Sequence, residues 1–70
     1  MKISARNQLS GTVRSMTPGS VMAEVVVALD GGQEVVSAIT LESARSLGLE
    51  PGKKVTAIIK STEVMLAVDD

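Results

Sequence analysis

The chain contains no histidine, cysteine, tryptophan, tyrosine or phenylalanine. Each absence closes off some chemistry. Without cysteine there is neither a disulfide framework nor a thiolate nucleophile. Without cysteine or histidine the usual ligand sets for zinc are missing. Histidine is also the commonest general acid or base near neutral pH, so imidazole catalysis is excluded. Without aromatic rings there are no platforms on which the bases of single-stranded nucleic acid ordinarily stack. Charge of one sign is lacking as well. Seven basic and eight acidic residues give a formal net charge of −1, and the pI is near 5.3. A general polyanion binder would show a basic face and a high pI. No apolar run approaches the length of a membrane span, and Met1-Lys2-Ile3-Ser4 opens without the apolar core of a signal peptide. Neither nucleic acid nor membrane is therefore expected as a partner, and the expected compartment is the cytoplasm.

What remains is 44% apolar, built from Val, Ala, Ile, Leu and Met. Seventy residues make one domain, 1–70, with no room for a second core. At this size, ordering costs about 1.5 kcal/mol per residue and roughly cancels the gain from burial. Small domains recover the margin with disulfides, a structural metal or association, and only association is open here. An obligate homo-oligomer is expected.

Most segments read as strands. Gln8–Met16 stops at the turn signal Thr17-Pro18-Gly19. In Ser20–Leu29, Val21, Ala23, Val25, Val27 and Leu29 share one face while Met22, Glu24, Val26 and Ala28 share the other. Both faces are largely apolar, so both are expected to be covered. Asp30-Gly31-Gly32 closes a hairpin. Gln33–Thr40 follows, with Val35, Ser37 and Ile39 opposed to Val36 and Ala38. Lys53–Lys60 and Thr62–Val68 supply two more strands, and Ser61 marks the corner between them. One segment is helical. Leu41, Ala44 and Leu47 fall at helix spacing, Thr40 is a natural N-cap, and Gly48 is a natural stop with Pro51-Gly52 beyond it. The expected fold is all-β, an OB-like barrel of five strands with one short helix between the third and fourth. Asp69 and Asp70 are expected to fray.

Two polar motifs stand out near the chain ends, Ser4-Ala5-Arg6-Asn7-Gln8 and Lys60-Ser61-Thr62. A tetrahedral oxyanion presents acceptor oxygens and no donors. Holding one out of water requires converging N–H and O–H groups and a cation not already neutralised. Arg6 offers a fork of donors, Lys60 a point charge, and Ser4 and Ser61 hydroxyls and backbone amides. The helix start at Thr40–Ser43 adds free N–H groups. Each residue also has a purely structural role open to it. Thr40 and Ser43 can serve only as a helix cap. Arg6 can pair with Glu63 or Asp69 across strands, an exposed bridge worth under about 1 kcal/mol. Asn7 and Gln8 can be turn or strand-edge residues. A Ser4 or Ser61 nucleophile with Lys60 as base is a further reading, but no nucleophile elbow or leaving-group acid accompanies it. No enzyme is expected. Glu24, Glu34, Glu42, Glu50 and Glu63 are scattered singly, so no direct cation site is expected either.

Three blocks together carry a resemblance that none carries singly. Ser4-Ala5-Arg6-Asn7-Gln8-Leu9-Ser10-Gly11, then Ala38-Ile39-Thr40 with Ser43 and Leu47-Gly48-Leu49, then Ile59-Lys60-Ser61-Thr62-Glu63-Val64-Met65 closely resemble the molbindins. These are the Mop proteins of the TOBE/Mop-domain type, which bind molybdate. The same module occurs in a molybdate-sensing transcription regulator and in molybdate transporter ATPases. The likeness extends over essentially the whole chain. It implies an OB-like barrel, a homohexamer built as a trimer of dimers, and molybdate or tungstate as the bound ligand without an organic cofactor. It also implies oxyanion sites between subunits, with Ser4 and Arg6 from one subunit and Thr40, Ser43, Lys60 and Ser61 completing the pocket, some of them from a neighbour. A second class of site near the symmetry axes is implied too, with residues that the motifs do not identify. The implied role is intracellular storage, buffering and homeostasis of the oxyanion. Sensing an oxyanion on behalf of a transporter or regulator is the alternative.

Overall fold

The computed structural model describes residues 1–69. The expectation of fraying at Asp70 therefore lies outside the described residues. In chain order the elements are β1 (Asn7–Pro18), β2 (Met22–Leu29), β3 (Glu34–Thr40), α1 (Leu41–Ser46) and β4 (Lys54–Ile59), followed by a single 3₁₀ turn at Ser61–Glu63. The four strands form one antiparallel sheet in the order β3-β2-β1-β4. Val13, Val25 and Val27 are buried at its centre, and Met16, Leu29, Ile39, Leu49 and Val55 pack around them. Ile39 on β3 and Val55 on β4 belong to strands at opposite edges, yet they meet the same cluster. The sheet is therefore curled, as in OB-like folds.

Strand β1 does two jobs along its length. Asn7–Thr12 pairs with β4, and Gly11–Pro18 pairs with β2. The handover occurs at Gly11, where a Cβ would lie 2.7 Å from both the Ala28 carbonyl oxygen and a Val27 methyl. Only a residue without a side chain fits this approach. A bulge follows between Val13 and Ser15 and leaves Arg14 out of the register. It also changes which side chains face inward. Val13 lies across from Val27 and Met16 across from Val25, so Met16 reaches the core where an uninterrupted ladder would have sent Ser15. The displaced Arg14 turns outward and forms an ion pair with Glu34.

The alternation expected in the second strand is observed: Ala23, Val25 and Val27 are buried. In β3, Val35, Ser37 and Ile39 are half-buried while Val36 and Ala38 are exposed. The turn at Asp30–Gly32 closes through the Gly32 N–H to the Leu29 carbonyl, with Gly32 at φ 100°. The helix is six residues long. It ends in a Schellman arrangement, with Leu49 N–H donating to the Ala44 carbonyl and Gly48 N–H to the Arg45 carbonyl. Gly48 sits at φ 66°, the left-handed conformation that this stop requires.

The fifth strand expected over Thr62–Val68 is not formed within the chain. Ser61–Glu63 is a 3₁₀ turn and Val64–Asp69 has no ladder partner. Apolar alternation marks a segment able to be a strand, but a strand exists only against an edge that pairs with it. The sheet stays open between β3 and β4, where an apolar cleft of about 680 Å³ includes Val35, Ile39, Val55 and Ile59 in its walls.

Candidate functional site

The six residues singled out from the sequence fall into two groups. The first surrounds the end of the β1/β4 ladder. Asn7 and Ile59 are its last pair, so Arg6 and Lys60, the next residue on each strand, flank the same end, with Ser4 and Ser61 just beyond. Two side-chain bonds shape this corner. Asn7 Nδ2 donates to the Ile59 carbonyl at 3.1 Å and ties the two strands together. Gln8 Nε2 donates to the Ala5 carbonyl at 2.7 Å and holds the bend that carries Arg6. Asn7 and Gln8 thus take the structural roles left open for them, Asn7 at the strand edge and Gln8 at the turn. Both bonds are invisible in the sequence, where an Asn-Gln pair carries no signal beyond its polarity.

The pairing of Arg6 with Glu63 or Asp69 does not occur. Among the described residues the one ion pair is Arg14–Glu34. Arg6 and Lys60 are both exposed and carry charge with no carboxylate partner among those residues. Two like charges at one ladder end repel each other unless an anion lies between them.

The second group is Thr40 and Ser43. Thr40 Oγ1 accepts from the Ser43 N–H at 3.1 Å and donates to Ser43 Oγ at 2.8 Å. Thr40 is therefore a genuine N-cap. The expectation of several free amides at the helix start needs correction. Leu41 N–H donates to the Val21 carbonyl at 2.8 Å, and Ser43 N–H is taken by the cap. Because β2 begins beside the helix, its Val21 carbonyl satisfies a donor that would otherwise face a ligand. What this end can still offer an acceptor is the Ser43 hydroxyl proton and the Glu42 N–H.

The two groups lie at opposite ends of the sheet. Thr40 pairs with Met22, and the next residue, Ala23, pairs with Pro18 at the C-terminal end of β1. Arg6 and Lys60 stand at the N-terminal end of β1. None of the six lines the apolar cleft between β3 and β4. Within one chain the cations and the Thr40–Ser43 hydroxyls are not brought together.

A curled antiparallel sheet of this size with one capped helix defines a small β domain of the OB-like class. Residues 3–66 match the TOBE domain family, and the chain belongs to it, among the small molybdenum-pterin-binding (Mop) proteins. Over 66 residues it is 52% identical to molybdenum-pterin-binding protein 3 of Clostridium pasteurianum, covering 94% of this chain and 97% of that protein. Its fold superimposes with a TM-score of 0.90 on a molybdate-binding protein from Sporomusa ovata, 47% identical, covering 97% of this chain and 100% of that one. With molybdate-bound ModG, described as a cytoplasmic molybdate-binding protein, the TM-score is 0.83 at 45% identity. That match covers 94% of this chain and 53% of ModG, so the domain corresponds to about half of the larger protein.

Proposed function

We propose that the chain binds molybdate, with tungstate as a ligand of nearly the same shape and charge, and serves as a cytoplasmic store or buffer for the ion. The observation that carries this reading is the division of its donors. Arg6 and Lys60 stand without carboxylate partners at one end of the sheet, and the Thr40–Ser43 hydroxyl pair stands at the other. A doubly charged oxyanion needs both kinds of group around it. A second copy is the simplest source of the missing half. The site accordingly lies between subunits, in a hexamer arranged as a trimer of dimers. Ser4 and Arg6 come from one subunit, and Thr40, Ser43, Lys60 and Ser61 complete the pocket, some of them from a neighbouring subunit. The ion is held by charge-assisted hydrogen bonds and released unchanged, so no reaction is assigned to the protein. A pterin is not part of the reading, because a flat heterocycle is ordinarily held by stacking and the chain has no aromatic ring.

The relatives support the ligand, since the Sporomusa ovata protein and ModG are both described as molybdate-binding. Titration calorimetry with molybdate tests the site. Removing one member of a desolvated ion pair costs about 3–5 kcal/mol, so Arg6→Ala and Lys60→Ala should each bind at least about a hundredfold more weakly. Ser10→Ala, outside the proposed pocket, should bind like the parent. If both cation variants bound like the parent, the site would lie elsewhere. A parent chain that took up no molybdate would end the proposal itself.

A further inference from the structure

The turn between β2 and β3 holds two reactive groups that the rest of the fold leaves free. Asp30, Gly31 and Gly32 are all exposed. The backbone donors on either side of Gly31 are taken up: Asp30 N–H donates to the Ser10 carbonyl at 3.0 Å, and Gly32 N–H donates to the Leu29 carbonyl at 2.9 Å. Gly31 N–H has no backbone acceptor. Among the described residues the Asp30 carboxylate has neither a hydrogen bond nor an ion pair. A nitrogen nucleophile and a carboxyl carbon thus stand next to each other on the chain. Their separation closes a five-membered ring, through the Asp30 main-chain carbonyl carbon, Cα, Cβ and Cγ. A side chain on the following residue would crowd the attacking nitrogen, and Gly31 has none. Nothing from elsewhere in the fold crowds it either, since no atom lies within 4 Å of the Gly31 Cβ position. No second Asp-Gly or Asn-Gly pair occurs: Asn7 precedes Gln8, and Asp69 precedes Asp70. The bonds that close the hairpin tip resist the rotation needed for attack. Exposed tips open locally, however, at far less cost than the whole domain unfolds.

We propose that Asp30–Gly31 is a self-modification site, at which the turn converts to a β-linked isoaspartate. The Gly31 nitrogen attacks the Asp30 side-chain carboxyl carbon and gives up its proton. A C–N bond forms, a carboxyl C–O bond breaks, and the oxygen leaves as water with that proton and one from solvent. The product is a succinimide spanning both residues. Water then opens the ring and returns the solvent proton. Attack at the side-chain carbon restores aspartate. Attack at the main-chain carbon breaks the original peptide bond, leaves Gly31 joined through the Asp30 side chain, and frees the α-carboxylate. One water is lost and one regained, so mass and charge are unchanged and no oxidant or cofactor is needed. The backbone becomes longer by one methylene carbon. The ring closed by Gly32 N–H and the Leu29 carbonyl takes in that carbon, so the hairpin tip loses its present closure. The same tip is tied to β1 through Asp30 N–H and Ser10, and the conversion therefore marks older copies at the junction of three strands.

The test uses the folded, full-length chain held in heavy-oxygen water in a warm, near-neutral buffer and then digested in ordinary water. Each passage through the succinimide adds one heavy oxygen at Asp30, whichever carbon the water attacks. A protease that cuts before aspartate but not before isoaspartate reads the fraction converted. Heavy oxygen is expected to accumulate at Asp30 in the tryptic peptide 15–45, together with growing resistance to that protease. Asp30→Glu keeps the charge but needs a larger ring, and Gly31→Val crowds the nitrogen, so both variants are expected to lose the signal. The proposal is overturned if the parent takes up label at this position no faster than Gly31→Val. It is equally overturned if the parent is labelled only when unfolded in urea, which would show that the folded turn is closed to the reaction.

Discussion

Replacing Gly11 with alanine probes the tightest backbone approach in the fold. The added methyl would lie 2.7 Å from the Ala28 carbonyl oxygen and 2.7 Å from a Val27 methyl, distances at which something must move. The Val27 side chain has little room, because it is buried in the central cluster. The Ala28 carbonyl belongs to the strand that pairs with Gly11 through Leu29, so its retreat loosens the ladder on that side. Overpacking of this kind costs about 1–3 kcal/mol. Loss of glycine's freedom in the unfolded chain offsets roughly 0.4–1 kcal/mol of it. The central values leave a net loss of about 1.3 kcal/mol, which lowers the melting temperature of a domain this small by roughly 5–10 °C. Gly31→Ala is the control. No atom lies within 4 Å of its Cβ position, and Gly31 is not among the glycines with positive φ, so its melting temperature should hold or rise slightly. Differential scanning calorimetry of the ligand-free variants at equal chain concentration makes the comparison. Equal melting temperatures for Gly11→Ala and Gly31→Ala would refute the claim that β1 changes partners at a point closed to side chains.

Thr40→Ala removes the acceptor of the Ser43 N–H and should cost about 0.5–2 kcal/mol in urea unfolding. Thr40→Ser should restore most of that loss, and a serine variant as unstable as the alanine one would remove the capping argument. Arg14→Ala should cost under about 1 kcal/mol, since the side chains of its ion pair with Glu34 are 67% and 40% exposed. A double-mutant cycle with Glu34→Ala reads the pair directly, and a coupling energy well above that limit would show that solvent screening has been overstated.

Features governed by near neighbours could be read from the sequence. Ala23, Val25 and Val27 lie two apart and are buried together, because side chains alternate along any strand. Thr40 and Gly48 bracket the helix through bonds that span only a few residues. The features that escaped depend on partners distant in sequence or outside the chain. Val64, Leu66 and Val68 alternate as a strand should, yet alternation does not create an edge to pair with. Ser15 and Met16 exchange places because Arg14 bulges out, a shift of parity that no local pattern announces. The helix start looked rich in free amides until the Val21 carbonyl, twenty residues from Leu41, was found bonded to one of them. The six candidate residues were recognisable by type and order. Their separation into two groups follows from which strand ends coincide, and only the register reveals that.

The split pairing of β1 has a consequence for the order in which the chain becomes fixed. Its C-terminal half meets β2 across the tight turn after Pro18, whereas Asn7 meets Ile59 across 52 residues. By loop-closure entropy the distant contact costs roughly 2 kcal/mol more than the local one. The meander of β1, β2 and β3 is thus held by short-range closures, while the Asn7–Ile59 corner closes over most of the chain. Arg6 and Lys60 project from the contact with the greatest entropic cost to close. The cationic end of the domain is therefore its least local part.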